Sequence, residues 1–143
     1  MPVLPALVAA LALVAAASVI GFVLRSRSGR VSHGSGDTVR AADVAAGEPF
    51  GDRATLVQFS TEFCSRCPQT RTLLSEVAAS RHGVVHLDVD LTHRPDIARR
   101  FSVLQTPTTL VLDGNGAVRA RIGGAPRRTE LVHELDTVLK STT

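Results

Sequence analysis

The sequence predicts an α/β domain, a mixed central sheet flanked by helices, carried behind one N-terminal transmembrane helix. Three observations predict it. Ala6 to Leu24 is an apolar run of 19 residues broken only by Ser18 and Gly21. After it, short β-rich apolar runs alternate with stretches of helical periodicity in the order β-α-β-α-β-β-α. The last two strands flank Asp113-Gly114-Asn115-Gly116, a hairpin signal that makes part of the sheet antiparallel.

The apolar run forms a helix about 28 Å long, close to the hydrocarbon thickness of a bilayer. No charged n-region precedes it, and it is long for the h-region of a signal peptide. Ala15 and Ala17 offer small-residue cleavage sites, but Val19, Ile20 and Phe22 follow at once. An uncleaved anchor in contact with membrane lipid is the expectation. Arg25, Arg27 and Arg30 lie on its C-terminal side, with no Lys or Arg before it. The positive-inside rule then puts the rest of the chain on the cytoplasmic face, an extracytoplasmic domain being the alternative. Gly29 to Gly36 (GRVSHGSG) is small and polar and reads as a linker, with His33 a solvated member of it. The organisation is thus an anchor over 1–25, a flexible linker over 26–37 and a globular domain over 38–143.

Thr38 to Ala46 has the Ala spacing of a short helix, capped by Asp37 or Thr38. Thr55 to Ser60 is a buried strand, and Gln69 to Ser80 a helix carrying Leu73, Leu74, Val77 and Ala78 at helical spacing. Cys64-Ser65-Arg66-Cys67 lies between them, at a strand-to-helix junction. Gly83 suits the end of that helix. Val84 to Asp90 is a strand with Val85, Leu87 and Val89 on one face. Pro95 to Phe101 is a short helix with proline in its first turn. Thr108 to Leu112 and Ala117 to Ile122 form the hairpin, Gly123-Gly124 ends it, and Thr129 to Lys140 closes the domain as an amphipathic helix. A right-handed crossover makes the first two strands parallel neighbours.

The chain has 143 residues, enough for one domain and an appendage. Hydrophobic residues make up 44%, mostly Ala, Val and Leu, with five Phe and neither Trp nor Tyr. So few aromatics argue against a base-stacking platform. The net charge of +3 comes with no clustered basic motif, and no nucleic-acid partner is expected. Two cysteines three apart cannot make a multi-bridge framework; a lone C-x-x-C at a strand–helix junction reads as redox chemistry.

The C-x-x-C after the first strand, the Val-x-Leu-Asp-Val-Asp strand, Thr106-Pro107 ahead of the hairpin and Gly123-Gly124 occur in one register. Together they resemble the thioredoxin superfamily over about Ala54 to Leu139, and the tether is similar to that of anchored thioredoxin-like proteins of high-GC bacteria. The resemblance implies a thioredoxin-like three-layer fold and a protein-disulfide oxidoreductase. It implies a redox-active Cys64–Cys67 disulfide as the only redox group, no separate cofactor, protein disulfide or dithiol substrates, and an upstream electron donor or acceptor. It also implies a cis Pro107 beside the cysteines, with the Thr106 backbone open to an extended substrate chain. Phe63, Ser65, Arg66, Thr106 and Pro107 then form the substrate-binding support of the site.

The departures are specific. Family members carry Trp where Phe63 stands and Gly-Pro where Ser65-Arg66 stands. Their buried Asp falls at Gln58 and its Lys partner at His86. Gln58 cannot take a proton from Cys67, which leaves His86 or a water for proton transfer. If Cys64 caps the helix, Pro68 deletes the amide that would meet the Cys64 carbonyl, and a loosened first turn is expected. In this reading Cys64 attacks as a thiolate, favoured by the helix dipole and by Arg66, and Cys67 resolves the mixed disulfide. A lowered Cys64 pKa stabilises the dithiol and makes the pair more oxidising than a Gly-Pro thioredoxin. The alternatives are a non-catalytic thioredoxin-fold partner at the membrane and a Cys/His metal module. The second has no further C-x-x-C, and His82, His86, His93 and His133 are dispersed over different elements, so no metal is expected.

Overall fold

The structure, a computed structural model, describes residues 3–27, 30–34, 36–44 and 47–141. Helix α1 runs from Val3 to Arg27, and Val3–Leu24 is long and apolar enough to cross a membrane, with none of it buried against the rest of the chain. Ser18, the one hydroxyl within Val3–Leu24, donates to the Val14 carbonyl at 2.8 Å, so this stretch satisfies its own polar side chain.

The domain is built on strands β1 (Arg30–His33), β2 (Ala54–Ser60), β3 (Val84–Asp90), β4 (Thr108–Asp113) and β5 (Val118–Gly123), in the spatial order β1-β5-β4-β2-β3. β2 and β3 are parallel and the other pairs antiparallel, the mixed sheet expected of a crossover followed by a hairpin. Helices α2 (Cys67–Ala79) and α4 (Arg128–Ser141) cover one face; α3 (Pro95–Arg100) covers the other. Alternation along β2 divides the core. Ala54 and Leu56 meet Leu74, Val77, Leu131 and Leu135 on the α2/α4 face, while Val57 and Phe59 meet Val89, Ile97, Leu110 and Leu112 on the α3 face. Complete burial of a leucine such as Leu74 or Leu135 contributes about 1.5–3 kcal/mol.

The structure departs from two expectations. The stretch read as a flexible linker contains β1, which pairs along β5 from Arg30↔Gly123 to His33↔Ala120. One valine among polar neighbours carries no periodic signal, yet the open edge of β5 offers a ladder of backbone groups, and Val31 packs on the core beside it. Gly34 follows because its amide reaches the Arg119 carbonyl at 2.8 Å and a Cβ there would lie 2.1 Å from the Val118 oxygen. Thr38 to Ala46, read as a helix, instead continues along β5 through a Thr38–Ala117 bridge. It makes only a 3₁₀ turn, Ala41–Val44, while Ala45 and Ala46 lie outside the described residues. Val39 and Val44 are buried on the α3 face, and that burial overrides the Ala spacing.

The hairpin follows its turn chemistry. The Asp113 carboxylate accepts from the amides of Asn115 (2.9 Å) and Ala117 (3.0 Å) and from Arg119. Burial alone would raise this carboxyl, but those bonds outweigh it and hold it below its ordinary value.

Candidate active site

β2 delivers the chain to the site and α2 leaves from it. The Cys64 amide donates to the Thr61 carbonyl and the Cys67 amide to the Cys64 carbonyl, each at 3.2 Å, so a tight turn separates the cysteines. They form a disulfide with Cα atoms 5.4 Å apart. Cys64 is half-buried and opens into a cleft of about 350 Å³ lined by Thr61, Phe63, Ser65, Arg66 and Thr106. Cys67 is the first residue of α2 and is 2% exposed.

The loosened first turn expected from Pro68 is absent. Arg66, not Cys64, is the cap residue, and Pro68 is in the first turn, where its missing N–H would have had no intrahelical partner. The Cys64 carbonyl is already satisfied by Cys67, and the Arg66 carbonyl by Thr70 at 3.1 Å.

The peptide bond Thr106–Pro107 is cis. The Thr61 and Thr106 hydroxyls are 3.3 Å apart, which ties this turn to the end of β2. The Pro107 carbonyl accepts from Gly124 at 2.8 Å, whereas among the described residues no backbone bond engages the Thr106 amide or carbonyl. Phe63 is 85% exposed on the rim.

Gln58 and His86 are brought together beneath the pair. Gln58 is fully buried; its side-chain amide donates to the Cys67 carbonyl at 3.1 Å. Its oxygen is 3.1 Å from His86 Nε2, and His86 Nδ1 is 2.9 Å from the Ser75 hydroxyl. The protonated Nε2 tautomer suits both ends, with Ser75 donating to Nδ1. The parallel register sets this up, because Leu56↔His86 and Gln58↔Asp88 put both side chains on the α2 face. Ser75 was not anticipated from sequence. Its only signal is its place on α2 one turn after Arg71, which pairs with Asp88.

Burial lowers the His86 imidazole below its ordinary value; Asp88 pulls it up and Arg71 pushes it down again. Arg71 from α2 and Asp88 from β3 are the charged groups facing it, and Gln58 and Ser75 are neutral. The unfolded chain thus binds a proton that the folded chain refuses. This contribution is complete above the unfolded value of about 6.5 and is lost as pH falls through the lower folded value. Thermal melts from about pH 7.5 to about pH 5.5 are expected to fall more steeply for the wild type than for His86→Gln, and parallel curves would refute that role.

Among the described residues, no group of three or more His, Cys, Asp or Glu is arranged to hold a metal ion. The site is therefore a cysteine pair with one open and one buried sulfur, a cis-proline turn across from it and a neutral polar chain below.

Comparison with known proteins agrees with this geometry. A family model described as Thioredoxin matches residues 43–137. A thioredoxin of Mycolicibacterium smegmatis is 34% identical over 90 residues, covering 61% of this chain and 80% of that protein. A bifunctional thioredoxin reductase/thioredoxin of Mycobacterium leprae is 30% identical over 110 residues, 73% of this chain but 23% of that larger protein. Among solved structures, the thioredoxin NaTrxh of Nicotiana alata superposes with a TM-score of 0.53 at 24% identity, over 60% of this chain and 73% of its own. The family match takes in both cysteines, the Thr106-Pro107 turn and every strand but β1, and on that ground the chain belongs to the thioredoxin family of thiol–disulfide oxidoreductases.

Proposed function

We propose that this is a single-pass, membrane-tethered oxidoreductase that exchanges disulfides with protein substrates through Cys64 and Cys67, without a dissociable cofactor. One observation carries the assignment of roles: Cys64 faces an open cleft while Cys67 is buried at the head of α2. The Cys64 thiolate attacks one sulfur of a substrate disulfide, forming a mixed disulfide and expelling the other substrate sulfur as a thiolate, which takes up a proton. The Cys67 thiolate then attacks Cys64 Sγ, closing the Cys64–Cys67 bond and releasing the second substrate thiol. Two electrons pass from the dithiol to the substrate, and a dithiol donor restores them; the reductase fused to the Mycobacterium leprae relative makes a reductase the natural class of donor.

Arg66 on the cleft favours the thiolate of Cys64, and a pair stabilised as dithiol is a stronger oxidant than a Gly-Pro thioredoxin. The free Thr106 backbone suits an extended substrate strand, with Phe63 and Ser65 on the rim. Gln58 holds the Cys67 carbonyl and the His86 ring in place beneath the pair, and His86 or a water, not Gln58 itself, serves the proton exchange of Cys67. Arg25, Arg27 and Arg30 support a cytoplasmic domain.

Two measurements test this reading. Cys67→Ser is expected to accumulate mixed disulfides that run as reductant-sensitive adducts on gels; an adduct-free variant contradicts the assigned order of attack. In intact cells, a membrane-impermeant maleimide should leave the reduced pair unlabelled until the membrane is permeabilised. Labelling without permeabilisation puts the domain outside.

A further inference from the structure

The tether enters the domain at the end of the sheet that carries the cysteines. β2 runs towards Cys64, and the antiparallel register then puts Phe59, Thr108, Gly123 and Arg30 in one row across four strands. Arg30, the first residue of β1, is three strand spacings from β2, about 15 Å. Arg30 shares a shallow cleft with Gln105, Arg121 and Gly123, and the Gln105 amide lies over Gly123, 2.7 Å from where a Cβ would be. Gln105 adjoins Thr106.

The reach of the tether is short. The apolar span ends at Leu24 and α1 at Arg27, about 4.5 Å further on. Three peptide links separate Arg27 from Arg30, at most about 11 Å. Arg30 therefore stays within about 15 Å of the hydrocarbon edge, of which the headgroups occupy about 6 Å. The seven residues of β2 measure about 20 Å along the sheet. With the opposite end of the sheet on the bilayer, Arg30 would stand higher than the tether can reach. A domain lying on its β1 edge still keeps β2 only about 15 Å above that edge. Outside α1, the exposed large hydrophobic residues among those described are Phe63 (85% exposed), which lines the cleft beside Cys64, and Leu104 (95% exposed), two residues before Thr106 in the chain.

We propose that the tether holds the active-site end of the sheet at the bilayer surface, so that the pair works on disulfides in the juxtamembrane segments of membrane proteins. This rests on the anchored, dithiol-exchanging reading above. The reduced Cys64–Cys67 pair supplies both electrons, and the substrate segment lies between the bilayer and the rim at Phe63. Free soluble proteins reach that gap less readily, whereas a membrane-bound segment shares the surface with it and gains in effective concentration.

The test uses the full chain, reduced and desalted, in phosphatidylcholine–phosphatidylglycerol vesicles. Two single-span peptides share the vesicles and carry the same disulfide loop, one a few residues from the span and the other raised on a helical spacer of about 30 residues. The near loop is expected to be reduced about tenfold faster or more, and a Gly/Ser insert of about 30 residues between Ser28 and Gly29 should bring the two rates within about twofold. Equal rates for the unmodified chain overturn the proposal, as does a preference that survives the insert. Flotation with the vesicles and reduction of a soluble disulfide peptide in detergent separate the causes. A chain that does not float overturns the anchor and the proposal with it. A chain that reduces neither loop nor the soluble peptide overturns the dithiol reading itself.

Discussion

Cys64→Ser is expected to lower disulfide reduction by about 1,000-fold or more, because no mixed disulfide can form without a sulfur at the open position. A serine hydroxyl is far from ionised at neutral pH, and an oxygen–sulfur adduct offers Cys67 nothing equivalent to attack. The substitution changes one half-buried atom in a cleft, so the fold should survive; unchanged circular dichroism would establish that. Insulin reduction with a dithiol donor reads the effect. Turnover within about tenfold of the wild type would show that Cys64 is not the attacking sulfur. The contrast with Cys67→Ser is informative, since that variant keeps the first attack and loses only the second.

Gln58→Leu is expected to destabilise the domain by about 1–3 kcal/mol, the cost of leaving a buried polar partner unsatisfied. Leucine fills a similar volume, so little of this comes from a cavity. What is lost is the bond to the Cys67 carbonyl and the bond to His86 Nε2, the side-chain bonds by which Gln58 reaches the head of α2 and the neighbouring strand β3. For a domain of this size the midpoint should fall by about 4–8 °C per kcal/mol. Melting of the oxidised protein measures it, and an unchanged midpoint would mean that water replaces the amide without cost. The variant also reports on chemistry. Because Gln58 positions both Cys67 and His86, the resolving step should slow in Gln58→Leu more than the first attack does, and quenched-flow trapping of the mixed disulfide separates the two.

Much of the site was legible because its signals are local. Cys64 and Cys67 at a strand-to-helix junction, Asp113 to Gly116 as a turn and Pro95 in the first turn of a helix each depend on neighbours within a few residues. The effect of Pro68 depends on where α2 starts, which its local sequence leaves open by a residue or two. With Arg66 as the cap rather than Cys64, the proline falls where a missing amide costs nothing. β1 was read as linker because Arg30 to His33 has one apolar residue and no period; its structure comes from β5, about ninety residues away in the chain. Gln58 and His86 could be named from the family resemblance, but their bond, and the share of Ser75 in it, depends on the register of β2 against β3.

The sequence by itself determined an apolar helix long enough to cross a membrane, a mixed α/β domain behind it and a C-x-x-C pair poised for disulfide exchange. Hydrophobic period, turn residues and cysteine spacing are written over short stretches of chain. Only the tertiary structure decided which sulfur is open and which is buried, what supports Cys67 from below, and that Arg30 shares one end of the sheet with the cysteines. Those are matters of strand order and register between distant segments, settled by how the two faces of one sheet bury their side chains together.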